Sequence, residues 1–445
     1  MRVETVTRSE PGRHREAPAE HHVVIVGGGF GGLYAAQALR RAPVRVTLVD
    51  RRNFHLFQPL LYQIAVGGLS PGDIASPLRS VFRRSNTQVI MDHAVRIDPA
   101  ERKLILRQRE LIYDSLILAP GGHHSYFGKD HWETYAPGLK TIEDALDIRR
   151  RVFSSFERAE LEEDLDKRRG YLTFVIVGGG PTGVELAGAL GELTRTTLRD
   201  DFRNIKPAQS TILLLEGARR ILPSYPEALS LKAQRSLERL GVTVVLGALV
   251  TDVGRDRVVY RSGADSRELR AGSILWAAGM QASSLGRELS RSTGAEIDRA
   301  GRVIVGGDLS VPGYPNIFVI GDLAHVRGAD GTPLPGLATV AMQEGRYVAR
   351  LIAARLERRS LPSFRFRHRG NLAVIGRNAA VADLGRVKFS GFPAWLIWAI
   401  VHIAYLIEFD NKVLVMIQWA WNYFTRKRGA RLITETVRVR PDIPP

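Results

Sequence analysis

The sequence predicts an α/β protein made of two parallel strand–loop–helix–strand units, with a separate helical region at the C-terminus. Three observations predict it. The segments HVVIVGGG (22–29) and TFVIVGGG (173–180) are closely similar β-branched runs entering glycine clusters. Each is followed by helix formers (33–41 and 184–196), then by an apolar run closing on an acid, Asp50 or Glu216. Past Pro393 the composition turns abruptly to Trp, Ile, Leu and Tyr. Strand, turn, helix and second strand in that order form the parallel crossover unit. The copies start 151 residues apart (173 − 22), so this is a duplicated domain and not a short-period repeat.

The chemistry of the units lies in their loops. Gly27-Gly28-Gly29-Phe30-Gly31-Gly32 fits G-x-G-x-x-G with glycines at 27, 29 and 32. The first glycine permits the tight turn, the second lets backbone approach a pyrophosphate, and the third lets helix pack on strand. The helix N-terminus offers N–H groups and partial positive charge to the phosphate. Asp50, 23 residues after Gly27, sits where a carboxylate binds ribose hydroxyls. The second loop repeats the pattern with Gly178, Gly180, Pro181, Thr182 and Gly183, and Glu216 takes the place of Asp50. A carboxylate there repels a 2′-phosphate, which favours NADH over NADPH, although Arg219 and Arg220 temper the preference. Two such units imply two dinucleotides: FAD, held non-covalently, on the first, and a nicotinamide nucleotide on the second.

The remaining elements follow in order. Residues 1–20 are polar and Pro-containing and read as a solvated tail ahead of a cytoplasmic protein. Strands are expected at 115–119, 243–246, 273–277 and 317–320, and a charge-dense helical linker at 157–169. Helical periodicity returns at 340–356. Of 445 residues, 44% are hydrophobic and 24% charged, which suits a globular chain. Cysteine is absent, which excludes disulfide scaffolds, Cys-ligated metal and any redox-active cysteine pair. No metal is expected. The net charge of +17 favours anionic partners, but no nucleic-acid motif accompanies it.

The C-terminal run resists a transmembrane reading. Residues 394–407 are apolar except His402, and fourteen residues give ~21 Å of helix against a hydrocarbon core of ~30 Å. Residues 413–424 are interrupted by Gln418 and Asn422. Trp395, Trp398, His402, Tyr405 and Phe409 recur at helical spacing, as one aromatic face. Trp419, Trp421, Tyr423 and Phe424 precede Arg426-Lys427-Arg428. Aromatics at the interface and cations on anionic lipid describe a helix pair lying on a membrane through 394–428. A buried dimer interface or core cover, and a transmembrane hairpin, are the alternatives.

Several segments carry a family resemblance: VTLVDRRNFHLFQPLLYQIAVGGLSP (46–71), VIVGGGPTGVELAGAL (175–190), NIFVIGDLAHV (316–326), LATVAMQEGRYVA (337–349) and the tail 394–434. The chain resembles type II NADH:quinone oxidoreductases, single-subunit, non-pumping flavoenzymes of respiratory membranes. The resemblance implies a glutathione-reductase-like flavoprotein plus a C-terminal helical membrane-docking region. Its FAD-binding domain would be discontinuous (21–140 and 290–375), with an NADH-binding domain at 141–289 and a membrane-associating region at 376–445. Gly27, Gly29, Phe30, Gly31, Gly32 and Asp50 would hold FAD, with Gly321 and Asp322 at the ribityl chain and Gln63 beside the ring. Glu185 would help place the nicotinamide and influence proton supply, and Gln343 would donate to a quinone carbonyl. Gly279, ending Trp276-Ala277-Ala278-Gly279, joins the cofactor residues. The family pattern carries glutamine where this chain has Thr339, and Ala-Thr-Gly where it has Ala119-Pro120-Gly121. The partners implied are a membrane quinone, the cytoplasmic face of the cell membrane and a second copy in a homodimer. The rival readings are a soluble NAD(P)H-dependent flavin reductase for another acceptor, and a flavin-stabilised binding protein with a basic surface.

Overall fold

A computed structural model describes residues 20–328, 331–425 and 428–434. The predicted tail (all but Glu20) and the cations Arg426 and Lys427 lie outside the described residues. Both predicted units are present. In the first, six strands lie in the order Ser310–Val311, Tyr314–Val319, Ser115–Leu118, His21–Val26, Val44–Asp50, Thr87–Met91. All neighbours are parallel except the first pair, and Val26 lies opposite both Val49 and Leu118. In the second, Val242–Leu246, Thr211–Glu216, Thr173–Val177 and Ser273–Trp276 form a parallel sheet. Val23–Ile25 and Phe174–Ile176 are wholly buried. Helices cover both faces of a parallel sheet, so such strands read as continuous apolar runs without alternation.

The duplication goes deeper than the sequence motifs show. Each unit inserts a three-stranded antiparallel sheet: Ala94–Asp98, Lys103–Leu106 and Glu110–Ile112 in the first, Ala248–Val253, Arg257–Ser262 and Asp265–Arg270 in the second. A third such sheet, Asn371–Gly376, Ala379–Asp383 and Lys388–Ser390, supports the C-terminal helices.

The single linker expected at 157–169 is instead two helices, Ile142–Leu161 and Leu165–Tyr171. Thr141 and Asp144 close a capping box on the first. Asp164 accepts from the Asp166 and Lys167 N–H groups, so a local cap wins over helix continuation.

The C-terminal region forms two helices, Phe392–Tyr405 and Phe409–Thr425. The predicted aromatic face is displaced. Phe409 begins the second helix, so the face does not run on to it. Its rings also point inward: Trp398 is buried, with Trp419 stacked on it at 5.1 Å between centroids and His402 at 4.5 Å. Trp395 meets Tyr423 at 5.5 Å. The outward stripe of the first helix is Phe392, Leu396 and Ile400, and Leu414, Met416 and Ile417 are exposed on the second. Rings gain from each other's edges and faces, so Trp395, Trp398, Trp419 and Tyr423 fill the helix–helix seam, while Phe392, Phe409, Trp421 and Phe424 stay exposed beside the aliphatics. Among the described residues, no helix is long and apolar enough to cross a membrane.

Candidate functional site

The two glycine loops have matching geometry. Gly27 has φ +101° and Gly178 φ +107°, backbone that only glycine adopts without strain. A Cβ on Gly32 would lie 1.9 Å from the Gly27 carbonyl oxygen, and one on Gly183 would lie 1.8 Å from the Gly178 oxygen. Helix and strand therefore touch at both third glycines. At Gly29 and Gly180 a Cβ would meet nothing within 4 Å, so open space faces each helix N-terminus. Asp50 accepts from Gly28 N–H at 2.5 Å and Arg52 N–H at 2.8 Å. Glu216 accepts from Gly179 N–H and, at 2.7 Å, from Ala218 N–H. Both acids thus hold their own loop as well as standing at the strand end. Arg220, one of the two cations near Glu216, donates to the Pro223 carbonyl at 2.9 Å.

A cavity of about 840 Å³ opens beyond the first loop, lined by Gly27, Asp50, Pro120, Gly122 and Arg287 among others. An adenosine fits this volume, and a pyrophosphate fits the space at Gly29, so the residues present suit FAD. Phe30 stacks edge-on to His55 at 5.1 Å, and His55 Nδ1 pairs with the Gly28 carbonyl at 2.8 Å. Burial holds His55 at a pKa of about 4, so it is neutral and donates from Nδ1. The loop is therefore buttressed from behind by a residue that sequence motifs do not mark. Gly31 packs on Ile320, which joins the loop to the strand before Gly321.

At that strand's end, Asp322 pairs with Lys140 at 3.2 Å, and Lys140 also meets the Met280 sulfur at 3.3 Å. Gly321 N–H donates to Glu344 at 2.6 Å. Glu344 is 1% exposed, and burial raises its pKa to about 8. Its buried carboxyl ties the helix Ala338–Leu356 to the Gly321 turn. Sequence reasoning passed over it because a lone Glu in a helix ordinarily faces solvent.

Glu185 sits on the helix Pro181–Glu192, which starts at the second loop. Protein surrounds it, Val374 N–H donates to it at 3.4 Å, and burial raises its pKa to about 8. It keeps some accessible surface and is not sealed in the core. Beside it the Tyr62 hydroxyl accepts from Gln63 at 2.9 Å, and Trp419 Nε1 donates to Gln63 Oε1 at 2.8 Å. Gln63 thereby links the second C-terminal helix to Tyr62, whose pKa burial and the Glu185 charge drive upward.

The tail returns beneath this cluster. Arg428 pairs with Glu192 at 3.2 Å, with side chains 13% and 22% exposed, and also donates to the Val66 and Ala189 carbonyls. This corrects its assignment to lipid: it is an interior ion pair. A guanidinium with five donors can satisfy two carbonyls and a carboxylate together, which a lipid surface would leave unmet.

Gln343 lies on the same helix as Glu344, with both ends of its amide bonded to the Arg367 backbone at 3.0 Å. Gly279 has φ +68°, and a Cβ there would meet the Phe127 ring at 2.8 Å. The exposed Pro181 and Thr182 open the second helix, and Thr339 lies in the first turn of the helix that carries Gln343. The structure thus groups Glu185 and Gln63 around Tyr62. It places Asp322 with Lys140 and Glu344.

Comparisons with known proteins agree with this geometry. Residues 21–345 match the family described as pyridine nucleotide-disulphide oxidoreductase, and residues 368–428 match the NDH2 C-terminal domain. The type II NADH:quinone oxidoreductase Ndh of Mycobacterium tuberculosis is 44% identical over 94% of this chain and 92% of its own length. NdhA of the same organism is 42% identical over 97% and 92%. The structure of NDH2 from Plasmodium falciparum in complex with NADH superposes with a TM-score of 0.85 at 21% identity, covering 94% of this chain and all of that one. The sulfide:quinone oxidoreductase of Aquifex aeolicus follows at 0.71 and 17%, covering 91% and 96%; at these identities both show shared fold alone. With no cysteine, the chain lacks the disulfide that the broader family name describes. Its two glycine turns, its C-terminal domain and its relatives together show that the chain belongs to the type II NADH:quinone oxidoreductases.

Proposed function

We propose that the chain oxidises NADH and reduces a membrane quinone, with its site facing water on one side and lipid on the other. Bound FAD supplies the redox chemistry, taking a hydride from NADH and passing two electrons to quinone. The observation that carries the reading is the pair of matched glycine turns, one per unit, in a chain whose tail helices expose apolar side chains.

The residues then have the following roles. Gly27, Gly29 and Gly32 admit the FAD pyrophosphate, Asp50 stands at its ribose, and Asp322 with Gly321 meets the ribityl region. Gly178, Gly180 and Gly183 admit the NADH pyrophosphate, and Glu216 stands at that ribose and disfavours a 2′-phosphate. Glu185 keeps its proton up to about pH 8, so at neutral pH it is a buried acid at the nicotinamide cleft. Gln63 is held by Trp419 and Tyr62, which fixes which end of its amide each partner meets. Gln343 reaches a quinone carbonyl by exchanging its Arg367 bonds for the ligand. No group in this scheme moves charge across a membrane.

The division into a discontinuous FAD domain (21–140, 290–375) and an NADH domain (141–289) is supported by sheet membership, since Tyr314–Val319 joins the first sheet at Ser115–Leu118. The region from 376 onward is proposed as the membrane-associating part. The enzyme is further proposed to sit on the cytoplasmic face, where NADH is available, and to act as a homodimer; sedimentation in mild detergent tests the latter. The functional test is NADH oxidation by the purified protein in quinone-loaded vesicles. Quinone-dependent turnover is expected in these vesicles, and a flavin-bearing protein with no quinone-dependent turnover would refute the reading.

A further inference from the structure

We propose that this protein carries a binding site for the headgroup of an anionic phospholipid, between the helix Glu227–Arg239 and the sheet beneath the C-terminal helices. The inference rests on the membrane-surface reading and goes beyond it by assigning a lipid class and the residues that select it.

A cavity of about 810 Å³ opens there. Its helical wall carries Lys232, Arg235 and Arg239, at positions i, i+3 and i+7 of one face. All three are exposed, while Leu229, Ala233 and Leu237 on the opposite face are buried. The other wall is Ala379–Val381 with Ser390 and Gly391. Lys232 donates to the Ser390 hydroxyl at 3.0 Å and Arg239 to the Ser236 hydroxyl at 2.9 Å. Neither contact neutralises the cation. The one carboxylate in the wall, Glu238, accepts from Gln234 at 2.9 Å. Three cations against one acid make the site one for an anionic group such as a phosphate.

The position selects the source of that phosphate. Gly391 lines the cavity and Phe392, the next residue, begins the outward stripe Phe392, Leu396, Ile400. A headgroup among the cations therefore lies at the foot of an exposed apolar track along which acyl chains can run. A soluble phosphate would leave that track unused. Arg428 in the tail is already bound to Glu192, and the helix Glu227–Arg239 supplies the charge at this site.

Vesicle co-sedimentation tests this with phosphatidylcholine alone and with phosphatidylcholine mixed with phosphatidylglycerol. The variant is K232Q/R235Q/R239Q. The control, R255Q/R261Q/R267Q, removes equal charge from exposed positions on the 248–270 sheet. A surface cation is worth roughly fivefold in affinity for anionic lipid, so three are worth on the order of a hundredfold. The wild type should prefer phosphatidylglycerol vesicles, the site variant should lose that preference, and the control should keep most of it. Flavin content and oxidation of NADH by a water-soluble quinone should be unchanged in both. Equal losses in site variant and control would reduce the effect to net charge and overturn the proposal. So would a site variant that keeps its preference. If inorganic phosphate binds the wild type in solution, and the site variant loses that binding but not vesicle binding, the site serves a soluble anion and the proposal falls. A wild type that binds neither vesicle would refute the membrane reading itself.

Discussion

Replacing Gly183 by alanine should separate the two half-reactions. Its added Cβ would stand 1.8 Å from the Gly178 oxygen. A carbon–oxygen contact needs about 3.3 Å, so the helix Pro181–Glu192 must retreat by roughly 1.5 Å (3.3 − 1.8). In the proposed reading that helix presents its N-terminus to the NADH pyrophosphate, and it carries Glu185 on its next turn. A misplacement of about 1 Å costs on the order of a hundredfold in rate. The expected loss in kcat/KM for NADH is therefore about a hundredfold, or ~2.7 kcal/mol of transition-state stabilisation. The FAD loop is untouched, so the purified variant should stay yellow, which also shows that it folds. Anaerobic stopped-flow reduction by NADH measures the loss. The mirror variant, G32A, with its Cβ 1.9 Å from the Gly27 oxygen, should lose flavin instead. A yellow G183A protein reduced by NADH at the wild-type rate would refute the assignment of the second turn.

Other consequences follow from the buried charges and the tail. Arg428→Ala leaves Glu192 without its cationic partner in a mostly buried site, a loss of about 3 kcal/mol, and E192Q/R428Q should recover part of it in thermal melts. Trp419→Phe keeps the stack on Trp398 but removes the donor to Gln63, and should lower stability by about 1 kcal/mol in denaturant titrations. Glu185 and Glu344 each bind a proton up to about pH 8 in the fold, but only to about 4.5 when unfolded. Between those values the folded state holds more protons, so their contribution to stability declines as pH rises through that window. E185Q and E344Q should flatten the decline in denaturant titrations, and an unchanged pH profile would contradict their burial.

What the sequence made legible was local. The twin glycine turns and their acids follow from steric demands at single positions, because only glycine fits Gly32 against Gly27 and Gly183 against Gly178. The parallel strands are legible because burial on both faces leaves them no polar positions. Glu344, His55 and Lys140 are not legible, because their roles depend on partners far along the chain: Gly321, Gly28 and Asp322. The C-terminal helices show the same limit. Helical spacing placed Trp395, Trp398 and His402 on one face, but periodicity cannot say whether a face meets lipid or protein. Trp419, Tyr423 and the strand Ala379–Asp383 decide that it meets protein. Arg428 followed suit, since a cation after aromatics reads as a lipid anchor until Glu192 is seen beside it.

The central claim is that one chain holds an electron-accepting cofactor where NADH reaches it from water and quinone reaches it from lipid. Single-turnover spectrophotometry under anaerobic conditions tests it most directly. NADH should bleach the bound flavin, and quinone in vesicles should restore the oxidised spectrum stoichiometrically. A flavin that NADH bleaches but quinone leaves reduced would contradict the account.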